Sequence, residues 1–187
     1  MKKEQEKEQK FRIIECQGFP FSILEKKVDT IPISTKVTDE DLENAITIDG
    51  AKYSRDKKRL LKGDKISDFS ILPGTEVIGD EVFLWCSNLQ QITIPNSVTH
   101  IGDGAFGWCK NLQQITIPNS VTHIGDDAFY RCDNLEQITI PNTVTHIGDR
   151  AFESCHNLQQ ITIPCGARAK FEKLLPSSYH QLLKEMD

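Results

Sequence analysis

The chain has 187 residues, 38% of them hydrophobic and 26% charged, the make-up of one ordinary soluble domain. No apolar run approaches the ~20 residues of a membrane-spanning helix. The net charge of −5, with no Lys/Arg cluster on any repeated position, excludes nucleic acid, whose phosphates call for a basic stripe.

The N-terminal MKKEQEKEQK is charged throughout. A secretory leader carries an apolar core of about 7–15 residues behind its basic start. Lys7, Glu8 and Lys10 stand in that place, so the expectation from this stretch is a cytoplasmic protein. Residues 11–37 hold the apolar clusters FRIIEC and FPFSIL, broken by Pro20 and Pro32, and read as irregular strand and loop covering the first coil. Thr38 ahead of Asp39, Glu40 and Asp41 predicts an N-cap and a short helix through Asn44, with acids against the positive end of the helix dipole. Asp49-Gly50 marks a hairpin turn between two short alternating runs. Asp56-Lys57-Lys58 makes a second turn into Arg59–Leu61, which completes a three-strand meander.

From Leu89 the chain repeats itself. LQQITIPNSVTHIGDGAFGWCKN is followed at Leu112 by LQQITIPNSVTHIGDDAFYRCDN and at Leu135 by LEQITIPNTVTHIGDRAFESCHN. A fourth copy opens at Leu158 and stops at Cys165. A fixed 23-residue period with constant Leu and Ile positions is the signature of a solenoid. Within one unit, Ile92 and Ile94 alternate with Gln91 and Thr93 as a short strand with one buried face. Pro95 ends that strand because it has no N–H for a ladder. Val98 and Ile101 turn back to the core, and Gly102 is expected to supply a positive φ where the chain bends. Ala105, Phe106 and Cys109 close the coil. Stacking the copies places Phe106, Phe129 and Phe152 in one column, each worth roughly 1.5–3 kcal/mol when buried.

This unit, Leu-x-x-Ile-x-Ile-Pro-x-x-Val-x-x-Ile-Gly-x-x-Ala-Phe-x-x-Cys, resembles the BspA-like, Treponema-type leucine-rich repeat. The resemblance implies a β-rich, right-handed leucine-rich repeat solenoid with one parallel β-sheet, and a binding role, not a catalytic one. It also implies bacterial origin and, for members with assigned roles, adhesion at the cell surface, which is the alternative to the cytoplasm. An eroded unit precedes the array: Pro73, Ile78, Gly79, Asp80, Phe83 and Cys86 match Pro95, Ile101, Gly102, Asp103, Phe106 and Cys109, with one residue missing after Pro73. After Pro164 the apolar side of Ala169, Phe171, Leu174 and Leu175 predicts a helix over 167–175, stopped by Pro176. A second helix is expected from Ser178 through Met186. The expected organisation is an N-terminal capping region over 1–65 with its β-meander, the array over 66–164 and a helical cap over 165–187.

The chemistry-bearing residues also fall on the period. Cys86, Cys109, Cys132 and Cys155 form a ladder, with no CxxC and no paired spacing, so buried thiols acting as small hydrophobes are expected over disulfides. Cys16 and Cys165 lie outside it. His100, His123 and His146 form a second ladder that does not converge as a tetrahedral metal site does, so no metal or other cofactor is expected. Repulsion between these imidazoles is expected to depress their pKa values unless Asp103, Asp126 and Asp149 pair with them. No nucleophile–base pair, phosphate loop or hydrolase motif stands out, and no enzyme is expected.

Four positions vary between units and cluster around the Ala-Phe turn: Gly104/Asp127/Arg150, Gly107/Tyr130/Glu153, Trp108/Arg131/Ser154 and Lys110/Asp133/His156. Trp85 and Trp108 share one slot, Arg131 follows in the next coil, and Tyr130 sits beside it. Trp, Tyr and Arg bury large planar area at low entropy cost, so Trp85, Trp108, Tyr130 and Arg131 are the candidate partner-binding residues, for another protein or a second copy of this chain. The alternatives are indoles that only cover the core edge under the 66–69 segment, and an array that serves as a spacer or intracellular scaffold without a ligand.

Overall fold

The computed structural model describes residues 33–63 and 67–186. The chain divides into two units, Met1–Ile33 and Ser34–Asp187, and the array lies in the second. The charged tail, the apolar 11–32 stretch with Cys16, and Ile66 lie outside the described residues.

The entry to the array follows its local chemistry. Helix α1 (Asp39–Glu43) starts at Thr38, whose side chain accepts from the Asp41 N–H while the Asp41 carboxylate accepts from the Thr38 N–H. Strands β1 (Ile46–Ile48) and β2 (Ala51–Tyr53) form an antiparallel hairpin. Its turn residues, Asp49 and Gly50, both have positive φ, which matches the strand twist. β3 (Arg59–Lys62) completes the meander. It then pairs in parallel with β5 (Val77–Ile78), so the meander runs directly into the repeat sheet.

Each coil contributes two short strands. On one side lie β4 (Asp68–Ser70), β6 (Gln91–Thr93), β8 (Gln114–Thr116), β10 (Gln137–Thr139) and β12 (Gln160–Ile163). On the other, β7 (His100–Ile101), β9 (His123–Ile124) and β11 (His146–Ile147) continue from β5. The second line was not expected: β1-β2-β3-β5-β7-β9-β11 is a seven-stranded sheet, parallel from β3 onward. It forms because the His N–H groups reach back one coil. His123 N–H meets Thr99 C=O at 3.4 Å and Gly125 N–H meets Ile101 C=O at 2.9 Å. The Gln-Ile-Thr strands form a parallel ladder, β8-β10-β12, and a separate pair, β4-β6. No pairing joins β6 to β8.

Between the two lines of strands lies one core. Phe83, Phe106, Phe129 and Phe152 stack at 5.4, 5.2 and 5.5 Å with ring planes within 7° of parallel. Ile101, Ile124, Ile115, Ile138, Val98, Val121 and the residues preceding each Phe (Val82, Ala105, Ala128 and Ala151) are buried around them. A coil alone would expose these faces, so stacking supplies most of the stability.

Three expectations are corrected. No residue is missing from the eroded unit: Ser70 faces Thr93 and Val77 faces His100, each 23 residues on. The proline has slid by one, which leaves Leu72 in the Pro95 slot. Gly102 does not have a positive φ. It is required because a Cβ there would sit 2.6 Å from the Asp80 N and the Gly79 carbonyl carbon. At the C-terminus, α2 (Arg168–Leu174) forms as expected, but the second helix does not. Ser177–Leu182 is a 3-10 turn, and β13 (Leu183–Glu185) adds in parallel to β12. A strand covers the ladder edge better than a helix, because it satisfies the edge N–H and C=O groups directly.

Candidate binding face

The turn around each Ala-Phe pair places the candidate residues. Two positions per coil have left-handed backbone: Glu81, Gly104, Asp127 and Arg150 in one slot, Trp85, Trp108, Arg131 and Ser154 in the other. Only one of the eight is glycine. Bulky residues at positive φ are outliers that cost roughly 1–2 kcal/mol each. The turn is held by backbone bonds to the next coil: Trp85 N–H to Gly107 C=O at 2.9 Å, Trp108 N–H to Tyr130 C=O at 2.7 Å, Arg131 N–H to Glu153 C=O at 3.0 Å. Side chains in this slot therefore rise in register from coil to coil.

The structure brings all four candidates together. The Trp85 and Trp108 rings stack at 4.1 Å and 21°. The Arg131 guanidinium lies 4.5 Å from the Trp108 ring on the next step, and Tyr130 meets that ring edge-on at 6.0 Å. Lys110 Nζ stands 5.4 Å from the same ring. Trp85 is 57% exposed, so it does not act as a lid over the core; Phe69 packs on Phe83 at 5.3 Å instead. Arg131 Nε is buried without a hydrogen-bond partner. The other variable slots pair between coils, Arg150 with Asp127 at 2.7 Å and His156 with Asp133 at 3.1 Å. These pairs are exposed and contribute little.

The Cys and His ladders are tied into the coils. Cys109, Cys132 and Cys155 donate their thiols to the carbonyls of Phe83, Phe106 and Phe129 at 3.2, 3.1 and 3.0 Å. Burial pushes the Cys155 thiol up to about 12 and also raises the Cys109 and Cys132 thiols. A thiol held protonated is a poor nucleophile. Cys165 is exposed. His100 and His123 stack at 4.6 Å, and His146 lies 5.7 Å from His123 with its ring tilted by 39°. Thr99 and Thr122 donate their hydroxyls to backbone carbonyls of the preceding coil. With that proton spent, each Oγ1 accepts from the adjacent His100 or His123 Nδ1–H at 2.9 and 2.8 Å. Burial first, then His123, lowers the His100 pKa. Asp103, Asp126 and Asp149 do not pair with His100, His123 and His146. Asp80, Asp103 and Asp126 each accept the backbone N–H of the next aspartate, at 3.0, 2.9 and 2.7 Å.

The profile of a family described as "BspA type Leucine rich repeat region" matches residues 57–174 in six copies. Solved structures give the same fold. A leucine rich cell surface protein from Faecalibacterium prausnitzii matches at 27% identity and TM-score 0.58, over 71% of this chain and 42% of that one. The pneumococcal vaccine antigen PcpA matches at 26% identity and TM-score 0.61, over 65% and 31%. A leucine-rich repeat protein from Bacteroides ovatus matches at 34% identity and TM-score 0.52, over 63% and 31%. The chain thus spans less than half of each of these proteins. No protein of curated function matches the sequence.

Proposed function

The chain belongs to the BspA-type leucine rich repeat family, and on that premise we propose that it is a non-catalytic protein-binding module whose partner lands on Trp85, Trp108, Tyr130 and Arg131. The observation that carries this is the ridge itself: two indoles and a guanidinium stacked at 4.1 and 4.5 Å on a backbone that would favour glycine at each step. Backbone strain retained at three successive positions is offset elsewhere, and such positions concentrate at binding sites. An exposed indole, Trp85, at the end of a stack that continues through Trp108 to a guanidinium matches the composition of interface hot spots. The relatives described as a cell surface protein and a vaccine antigen support display at the cell surface over the cytoplasmic setting.

The backbone offers a clean test. Replacing Trp85 and Trp108 with glycine removes the indoles and relieves the left-handed strain, so folding is retained. A protein captured by wild type and released by the Trp85→Gly/Trp108→Gly variant, at unchanged thermal midpoint, is the expected result. Loss of self-association in sedimentation would make the partner a second copy. Equal capture by both forms would move the binding face off this ridge. Antibody accessibility on intact cells decides the location. If the array is only a spacer, neither form retains a protein.

A further inference from the structure

The break between β6 and β8 lies on a different side of the coil from the aromatic ridge and is independent of it. Both strands read Gln-Ile-Thr, as does β10, yet β8 and β10 pair while β6 and β8 do not. Elsewhere the ladder is closed by Glu136 N–H to Gln113 C=O at 2.9 Å and Ile117 N–H to Thr139 C=O at 3.1 Å. Among the described residues, the equivalent bonds from Gln113 N–H to Gln90 C=O and from Ile94 N–H to Thr116 C=O are not made. The same two coils stay joined on their other sides, through His100 and His123 and through Phe106 N–H to Ala128 C=O at 2.8 Å. The coils are therefore wedged apart along one face only. A cleft of about 510 Å³ opens there. Ile92 is only partly buried, whereas Ile115 and Ile138 in the same slot are 4% and 1% exposed.

We propose that this cleft is a binding site for a neutral mono- or disaccharide. Its wall carries the amides of Gln91, Gln114 and Asn96 and the hydroxyls of Thr93 and Thr116, with Ile92 as an apolar floor. No lining residue is charged, so an ionic ligand would lose its hydration without a partner. Backbone groups left unpaired in a cleft require both donors and acceptors from whatever fills it. Amide side chains make the same demand. Sugar hydroxyls supply both from one atom. A peptide strand does not fit between the edges. Insertion along the whole edge would need strands about 9.6 Å apart, twice the ladder spacing, whereas some Cα pairs of β6 and β8 lie within 8 Å. The volume lies in the range of roughly 300–1,000 Å³ typical of small-ligand sites.

Two measurements test the site on the full chain. Amide exchange should be fast at Ile94 and Gln113 and slow at their closed-ladder counterparts Ile117 and Glu136. Equal protection of both pairs would mean that the sheet is closed and would overturn the proposal. Titration with glucose, galactose, N-acetylglucosamine, maltose and lactose, followed by amide chemical shifts, should move Ile94 and Gln113 with millimolar or tighter affinity for at least one sugar. Gln91→Ala/Gln114→Ala should weaken that binding by about tenfold or more, while Gln137→Ala, the same residue on the closed ladder, leaves it unchanged. These glutamines are exposed, so the variants fold. No shift with any of these sugars, equal loss in the Gln137→Ala control, or binding only of an extended peptide would each overturn it. Because no ridge residue is altered, the result is separate from the test of protein binding.

Discussion

Gly125 shows how a single atom sets the coil geometry. A Cβ added there would lie 2.7 Å from the Asp103 N and the Gly102 carbonyl carbon of the preceding coil, both rigid backbone. Gly125→Ala is expected to destabilise by about 1–3 kcal/mol, as overpacking does. A thermal midpoint within a degree of wild type would show that the coils separate at little cost. The opposite change, a deletion, is larger at Phe129, which is 0% exposed and stacked between Phe106 and Phe152. Phe129→Ala is expected to cost about 3–5 kcal/mol, a large share of a domain's roughly 5–15 kcal/mol. Denaturant melts should show the midpoint falling strongly, and a shift of only a few tenths of a molar would contradict the column. The Phe column could be read from the sequence because its period is fixed. The reason for the glycine could not, since a residue that avoids contact with the next coil looks like one that permits a positive φ.

At the scale of the element, His100 in β7 couples the fold to pH. The His100 pKa is lowered in the folded chain, by burial and then by His123. The unfolded chain, with histidine near 6.5, therefore takes up this proton first. Stability is full above that value and falls as pH drops through the interval down to the folded pKa. Unfolding free energy measured from neutral to mildly acidic pH should decline, and His100→Gln should flatten the decline. A slope unchanged in that variant would place the effect elsewhere. The smaller contribution to the His100 shift, from His123, was legible from the spacing of the histidines, and the larger one, burial, was not. The threonine hydroxyls that hold their Nδ1–H groups and the backbone role of the aspartates were not, because both depend on which atoms face each other across coils. The second strand line was hidden for a related reason: two residues are too few to show an alternation.

For the whole molecule, the constant 23-residue step means that coils are interchangeable parts. The family, the strand positions and the stacked ridge all follow from that step. The wedge between β6 and β8 does not, since the strands on either side of it are identical. It belongs to the packing of whole coils, where the eroded unit places Phe69 in the Ile92 slot and Leu72 in the proline slot. Interchangeability has a direct consequence. Excising Leu135–Asn157, one full period, would join Asn134 to Leu158 and re-form every interface in register. Tyr179, which now meets Phe152 edge-on at 6.3 Å, would meet Phe129 instead. The shortened chain is expected to fold, with a denaturant m-value lower by roughly one-seventh, in proportion to the surface removed, and with lower stability from the loss of one interface. Excising only Leu135–His146 would put strand slots against turn slots and bury unpaired backbone groups, so that chain should not fold cooperatively. Similar circular dichroism and melts for the two deletions would mean that the period does not govern the packing.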